Sequence, residues 1–410
     1  MVRIIIFLLS IVLFVSCKNS ENKTEDEIHQ LKVFASPADS PSAEPYLFTD
    51  KNDVVHLSWI EKRKEISFLK FSTLNNGQWS IPTIITKGKD WFVNWADYPM
   101  MASDGDGNLI AHVLEKSEKS TYAYDVKLVT SLDKGTSWSN PTILHDDGKK
   151  AEHGFVSMIP YQDNYFISWL DGRNSVIQGD GEHHEEQQGE MTIRAALVSK
   201  QGIKSSEWEL DKRVCDCCQT SCAITANGPI VVYRDRTEDE IRDISIVRLA
   251  NGQWTKPKTI VSDNWKITGC PVNGPRADAQ GNNLVVAWFS SPDKKGQVHI
   301  IFSEDGGANF TFPIRIDEGK GIGRVDVLML DEKSAMVSWM EGSVIKAARV
   351  HNNGRKESSI IIASSSESRS SGFPQMTKSG NNLIFAWSDD KEKTIKVASL
   401  SFNNVESEVL

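Results

Sequence analysis

The chain has 410 residues, of which 39% are hydrophobic and 25% charged, the balance of a folded, water-exposed protein. A net charge of −9 and a pI near 5.6 leave no basic footprint, so a nucleic-acid partner is not expected. The length allows one large repeat domain or two ordinary ones, and only the first residues form a long apolar run.

That run comes first in chain order. Met1-Val-Arg3 is followed by apolar residues from Ile4 to Val15, broken only by Ser10, and then by Ser16-Cys17 and polar Lys18. A short basic start, an apolar stretch and a small residue at the cut make a secretory signal, too short to remain as a membrane span. The cysteine directly after the small residue makes the segment resemble a bacterial lipoprotein signal. The resemblance implies removal of residues 1–16, lipidation of Cys17, and a protein held by that lipid at the outer or cell membrane, facing the periplasm or the outside. Ordinary secretion with Cys17 as a spare thiol is the alternative. Residues 17–29 are polar without an apolar period and read as a flexible tether, which leaves residues 30–410 as one domain.

That domain repeats. A short strand pattern ends in tryptophan, with an acid two residues on: "HLSWIE" (Trp59, Glu61), "FISWLD" (Trp169, Asp171), "VSWME" (Trp339, Glu341) and "FAWSD" (Trp387, Asp389). Worn copies place Val113 and Glu115, Tyr233 and Asp235, and Trp288 and Ser290 at the same positions, and successive copies lie 48 to 64 residues apart. Each is flanked by short β-branched runs between Gly, Asn and Asp turns, about four runs per unit. This is the arithmetic of an all-β fold, a β-propeller of four-stranded antiparallel blades. Seven units predict seven blades, with six as the alternative. The last unit has three clear strands, so the early segment "QLKVFAS" is expected to supply its fourth and close the ring.

Two units carry "SLDKGTSW" (Ser131, Asp133, Gly135, Trp138) and "SEDGGANF" (Ser303, Asp305, Gly307, Phe310). Their Asp can bond the turn's own amides, their Gly supplies positive φ, and the aromatic packs between strands, so they read as turn staples. At these residues the chain resembles the Asp-box repeats of the sialidase superfamily, over nearly the whole mature length. That resemblance implies the blade framework but not the family's catalytic set. No Arg-Ile-Pro occurs, and no tyrosine stands in a recognisable nucleophile context.

If strands A to D alternate in direction, the A–B and C–D turns share one face and the B–C loops and D–A links the other. The second face, here the loop face, collects everything chemically unusual. It would receive Asp171 and Asp235 as candidate acid and base, with Glu341 at the same repeat position. Arg173, Arg234, Arg236, Arg276 and Arg324 are candidates for gripping a carboxylate or phosphate. The bland reading is a ring of internal Arg–carboxylate pairs and strand-end staples. His183 and His184, in an enlarged acidic loop, read more simply as a solvated segment than as a metal site.

The most concentrated chemistry is "RVCDCCQTSC", with Cys215, Cys217, Cys218 and Cys222, joined by Cys270 in the next link. Outside the cytoplasm disulfides are the default and would cross-link two blades. A soft thiolate site for Cu(I) or Zn(II) and a lone nucleophilic cysteine are the alternatives. The functional expectation is a membrane-anchored, monomeric, sialidase-like propeller. It would bind an anionic or polyhydroxylated, glycan-like ligand in its central funnel and could hydrolyse it as a glycosidase. A non-catalytic binding propeller and a Cu/Zn-binding protein are the alternatives.

Overall fold

The computed structural model describes residues 31–175 and 189–402. Cys17, the signal segment, the tether, and His183 and His184 lie outside the described residues. Among the described residues no helix is long and apolar enough to cross a membrane.

Seven antiparallel sheets follow one another along the chain and form the blades of a β-propeller, the first six with their strands in consecutive order from the inside out. Blade 3 is typical, with strands at His153–Tyr161, Asn164–Asp171, Thr192–Ser199 and Lys204–Asp211. In blades 1 and 4 the outermost position is split, so that Gln78–Trp79 and Thr83–Gly88, or Gln253–Trp254 and Lys258–Val261, share one neighbour. The expected closure is present. Leu31–Phe34 pairs with Thr394–Ser401 as the outer strand of blade 7, with Leu31 opposite Leu400 and Phe34 opposite Val397. The start of the domain thereby ties its end, and no blade is left with its outer strand missing.

Second strands are buried on both faces because a neighbouring blade packs on each side, and this is why they read as near-continuous apolar runs. Their tryptophans fill the spaces between blades: Trp59, Trp169, Trp288 and Trp339 are all fully buried. In blades 3 and 6 the acid two residues on is the indole's partner, whereas among the described residues Trp59 Nε1 has none and Glu61 pairs with Arg63 and Lys70. Trp169 Nε1 donates to Asp171 Oδ2 at 2.8 Å, and Trp339 Nε1 donates to Glu341 Oε2 at 2.8 Å. Blade 5 has Ser290 in the acid's place, and there Asp263 of the preceding link accepts from Trp288 Nε1 at 2.7 Å. Trp339→Phe removes that donor and leaves a small void. It is expected to cost about 1–3 kcal/mol in urea unfolding; an unchanged midpoint would show that the staple contributes nothing.

The Asp boxes are C–D turns, as expected. Ser131 Oγ donates to Asp133 Oδ1 at 2.8 Å and accepts from the Gly135 amide at 2.8 Å, while Asp133 Oδ1 accepts from the Ser137 amide at 2.9 Å. Gly135 has φ +82°, and a Cβ there would lie 2.4 Å from Phe71 of blade 1, so the turn also seats against its neighbour. The innermost strands are stapled in series. Ser157 accepts from the Cys222 amide at 2.9 Å and Ser221 from the Ala277 amide at 3.0 Å. Asp278 accepts from the Met329 amide at 2.7 Å and Asp326 from the Met376 amide at 2.7 Å.

Candidate functional site

The axis of the ring is closed at one end and open at the other. On the loop face Trp95 stacks on Phe373 with centroids 5.5 Å apart, and Tyr98 lies 6.3 Å from Tyr46 and 6.1 Å from Phe373. Arg324 of blade 6 lies 5.1 Å above the Trp95 ring and Arg276 of blade 5 lies 5.6 Å from the Tyr98 ring. Side chains from blades on opposite sides therefore meet, and they fill the centre. A funnel opening on the loop face was expected from the sequence. Instead the central cavity, about 440 Å³, extends from this plug to the A–B turns on the opposite face.

Tyr46, Thr49, Arg276, Asp278, Asp326 and Gln375 are among the polar side chains lining that cavity. Arg276 is buried, and its Nη2 has no hydrogen-bond partner. Burial pushes the Asp278 carboxyl up to about 6 and also raises Asp326, which the Arg276 charge partly opposes. Asp278 and Asp326 were not singled out in the sequence. "RADAQ" and "RVDV" look like ordinary strands, and only the ring places them around one axis.

The other arginines are committed internally. Arg234, at the end of a blade 4 strand, donates to the Asn273 carbonyl at 3.0 and 2.7 Å, to the Phe289 carbonyl at 2.6 Å and to the Arg242 carbonyl at 2.6 Å. Its guanidinium also stacks 4.8 Å from the Trp265 ring. Arg324 donates to the carbonyls of Glu367 at 3.1 Å, Ser368 at 2.9 Å and Gly372 at 3.1 Å. Arg173 pairs with Asp171 at 2.7 Å, Asp147 at 3.2 Å and Glu207 at 3.2 Å, and Arg236 pairs with Glu240 at 2.7 Å and Asp216 at 3.1 Å.

Asp171 is fully buried; it faces Arg173, Trp169 and, at 3.7 Å, His153. Burial raises its pKa, but Arg173 and His153 outweigh that and hold the carboxyl below the usual range. Asp235 accepts from the Arg236 amide at 2.7 Å and from Ser245 Oγ at 3.2 Å. Burial and the charge of Asp211 push it up to about 6. Glu341 accepts from the amides of Glu318 at 3.0 Å and Lys320 at 2.5 Å besides its tryptophan. None of the three lines the central cavity.

A set that sequence reasoning missed lies on the loop face. The Tyr124 hydroxyl is 2.8 Å from Glu152 Oε1 and 3.3 Å from Asp97 Oδ2, and Asp97 Oδ1 accepts from the Phe155 amide at 2.7 Å. Burial pushes Asp97 up to about 8 and Glu152 up to about 7. Tyr124 itself is fully buried, with Phe92 stacked on it at 4.1 Å. The three come from two links and a strand start with no common motif, so no local signal marks them.

The thiols also meet on the loop face, in the link from blade 3 to blade 4. The Val214 amide bonds Met191 O at 2.9 Å and the Cys215 amide bonds Arg234 O at 3.0 Å, after which the chain turns at Asp216 and Cys217. The turn brings Cys215 and Cys218 together, with Sγ atoms 3.0 Å apart. An extended segment would have sent Cys218 to the opposite side from Cys215 and Cys217, and the turn corrects that expectation. Cys215, Cys217 and Cys218 have their sulfurs within 4.8 Å of one another. Arg242 Nη1 donates to Cys215 Sγ at 3.4 Å, and Cys270 reaches Cys217 from the next link.

Cys222 is apart from this group, with its sulfur 3.1 Å from Ser168 Oγ. All five are free thiols, so no disulfide cross-links the blades in this structure. Burial raises the Cys215 thiol, but hydrogen bonds from Cys217 and Cys218 and the Arg242 charge outweigh it and carry the group well below its ordinary value. The hydrogen bond to Cys215 instead drives Cys217 far up.

No protein-family model matches the chain, and no curated protein matches it. Solved structures resemble it at TM-scores below 0.5. A Hadza microbial sialidase is 12% identical with a TM-score of 0.42, over 73% of this chain and 63% of that one. NanB sialidase from Streptococcus pneumoniae is 9% identical with a TM-score of 0.46, over 90% of this chain and 94% of that one. The Penicillium chrysogenum alpha-L-arabinanase is 8% identical with a TM-score of 0.48, over 91% of this chain and 97% of that one. The strand pairing itself makes this chain a seven-bladed β-propeller.

Proposed function

We propose that the protein is a lipid-anchored propeller of the bacterial envelope, held through Cys17, that binds a polyhydroxylated, glycan-like ligand in its central cavity. The observation that carries this reading is the placing of Arg276, Asp278 and Asp326 together on the wall of an open cavity of about 440 Å³. Arg276 supplies a fixed charged donor, Asp278 and Asp326 supply acceptors that become donors when protonated, and Tyr46 and Thr49 add hydroxyls. A few polar groups on an otherwise mixed wall is the make-up of a small-ligand site, and such a set suits alternating sugar hydroxyls or a single sugar carboxylate.

Saturation-transfer NMR and calorimetry with neutral sugars and sugar acids test it. Arg276→Gln is expected to weaken binding about 10- to 100-fold, the value of a hydrogen bond from a charged donor. Binding that ignores this change, or none across the set, would reject the proposal. The second reading, hydrolysis, is favoured by the Tyr124–Glu152–Asp97 arrangement. Turnover of chromogenic glycosides that is lost in Tyr124→Phe would support it.

A further inference from the structure

Beyond the carbohydrate reading, and independent of it, we propose that Cys215, Cys217 and Cys218 form a binding site for a soft monovalent cation, Cu(I), with Cys270 at its rim. The donor set is three sulfurs whose positions already agree to within 4.8 Å of one another. Thiolates about 2.3 Å from a common metal in a trigonal plane stand about 4 Å apart, so small side-chain rotations suffice. No histidine nitrogen or carboxylate oxygen belongs to this group, and an all-sulfur set selects thiophilic ions such as Cu(I).

The backbone around the sulfurs is fixed from both sides. Val214 and Cys215 are bonded to the chain on either flank of the site, at Met191 and Arg234, and Cys215 and Cys218 are fully buried. Three thiolates around one Cu(I) carry a formal charge of −2, and the Arg242 guanidinium opposes part of it. Arg242 touches Cys215, and Arg236 lies on the same turn through Asp216. Glu240 holds both guanidinium groups in place, at 2.7 Å from Arg236 and 2.8 Å from Arg242. This is a supporting layer of the kind that orients metal ligands.

Zn(II) prefers a closed set of four donors. Here the fourth sulfur, Cys270, is exposed and lies outside the group of three. It offers an entry ligand between solvent and the buried Cys215 and Cys218. The Cys215–Cys218 separation of 3.0 Å is about 1 Å longer than a sulfur–sulfur bond, so the competing state is a disulfide between these two.

The test uses the full mature protein, reduced and handled without oxygen. It is titrated with Cu(I) against a chromophoric Cu(I) chelator and, separately, with Zn(II), alongside a thiol count. The expected result is one Cu(I) per chain, held at least about 100-fold more tightly than Zn(II). Cys217→Ser, at a partly exposed position, is expected to lower Cu(I) affinity at least about 100-fold while the melting temperature of the metal-free protein stays unchanged. Cys218→Ser should do the same to affinity, and Cys222→Ser should leave it as it was. Failure to compete with the chelator, a preference for Zn(II), or a Cys215–Cys218 disulfide resistant to mild reductant would each overturn the proposal. Loss of sugar binding alone would not.

Discussion

Arg234→Ala is expected to lower the unfolding free energy by about 3–4 kcal/mol, measured by urea titration. The side chain is among the largest fully buried ones, and its fork reaches carbonyls of three segments, at Arg242, Asn273 and Phe289. Removing it leaves those carbonyls buried without donors and takes away the stack on Trp265. It also loosens the two links beside the thiol turn, because the Arg234 carbonyl and Asn273 belong to the same junction. Arg234→Lys should recover little, since one ammonium cannot span a planar three-way fork. A loss below about 1 kcal/mol for Arg234→Ala would mean that water satisfies these carbonyls instead.

Asp97→Asn is expected to flatten the pH dependence of stability above neutrality. The folded state holds the Asp97 proton up to about pH 8 because burial disfavours the anion, and the unfolded chain releases it near pH 4. Between those values the folded state carries the extra proton, so stability falls as pH rises, by about 1.4 kcal/mol per pH unit for each such group. Glu152, pushed up to about 7, adds to the fall below that pH. His112 opposes it at lower pH, since burial drives its pKa down to about 3 and the unfolded imidazole titrates near 6.5. The clean window is therefore about pH 7.5 to 8, where the unfolded imidazole of His112 has lost its proton and Glu152 has already ionised. Wild type should lose stability there, and Asp97→Asn should lose less and be the more stable of the two at pH 8. The amide keeps an acceptor for the Phe155 amide, which pairs with Oδ1 at 2.7 Å. Parallel curves for the two proteins would mean that Asp97 is already ionised in the fold.

The blades were legible in the sequence because they are built from local, repeated instructions. An apolar second strand, a tryptophan, an acid two residues on and an Asp-box turn each act within one unit or against the next one. Even the closing strand could be read, since a unit short of one strand and a stray strand pattern at residues 30–36 complete each other. The staple role of the repeated acid was also open to reading, and Asp171 and Glu341 both accept from their tryptophans.

The site was legible only in part. The thiols were found by composition, but their geometry was not, because a turn at Asp216 and Cys217 reverses a segment whose pattern reads as extended. Which arginines are free was out of reach. Arg234 and Arg276 both sit beside loop-face motifs, yet one is saturated by carbonyls from three segments and the other lines the central cavity. The same holds for Tyr124, Glu152 and Asp97, and for the end of the axis that stays open. Each depends on side chains from different blades meeting across the ring, where Trp95, Tyr98 and Phe373 close one end. Sequence alone thus determined the repeated unit and its number, which nearest-neighbour periodicity encodes. Only the tertiary structure decided where the cavity lies and which charges are spent, because contacts across a closed ring leave no period in the chain.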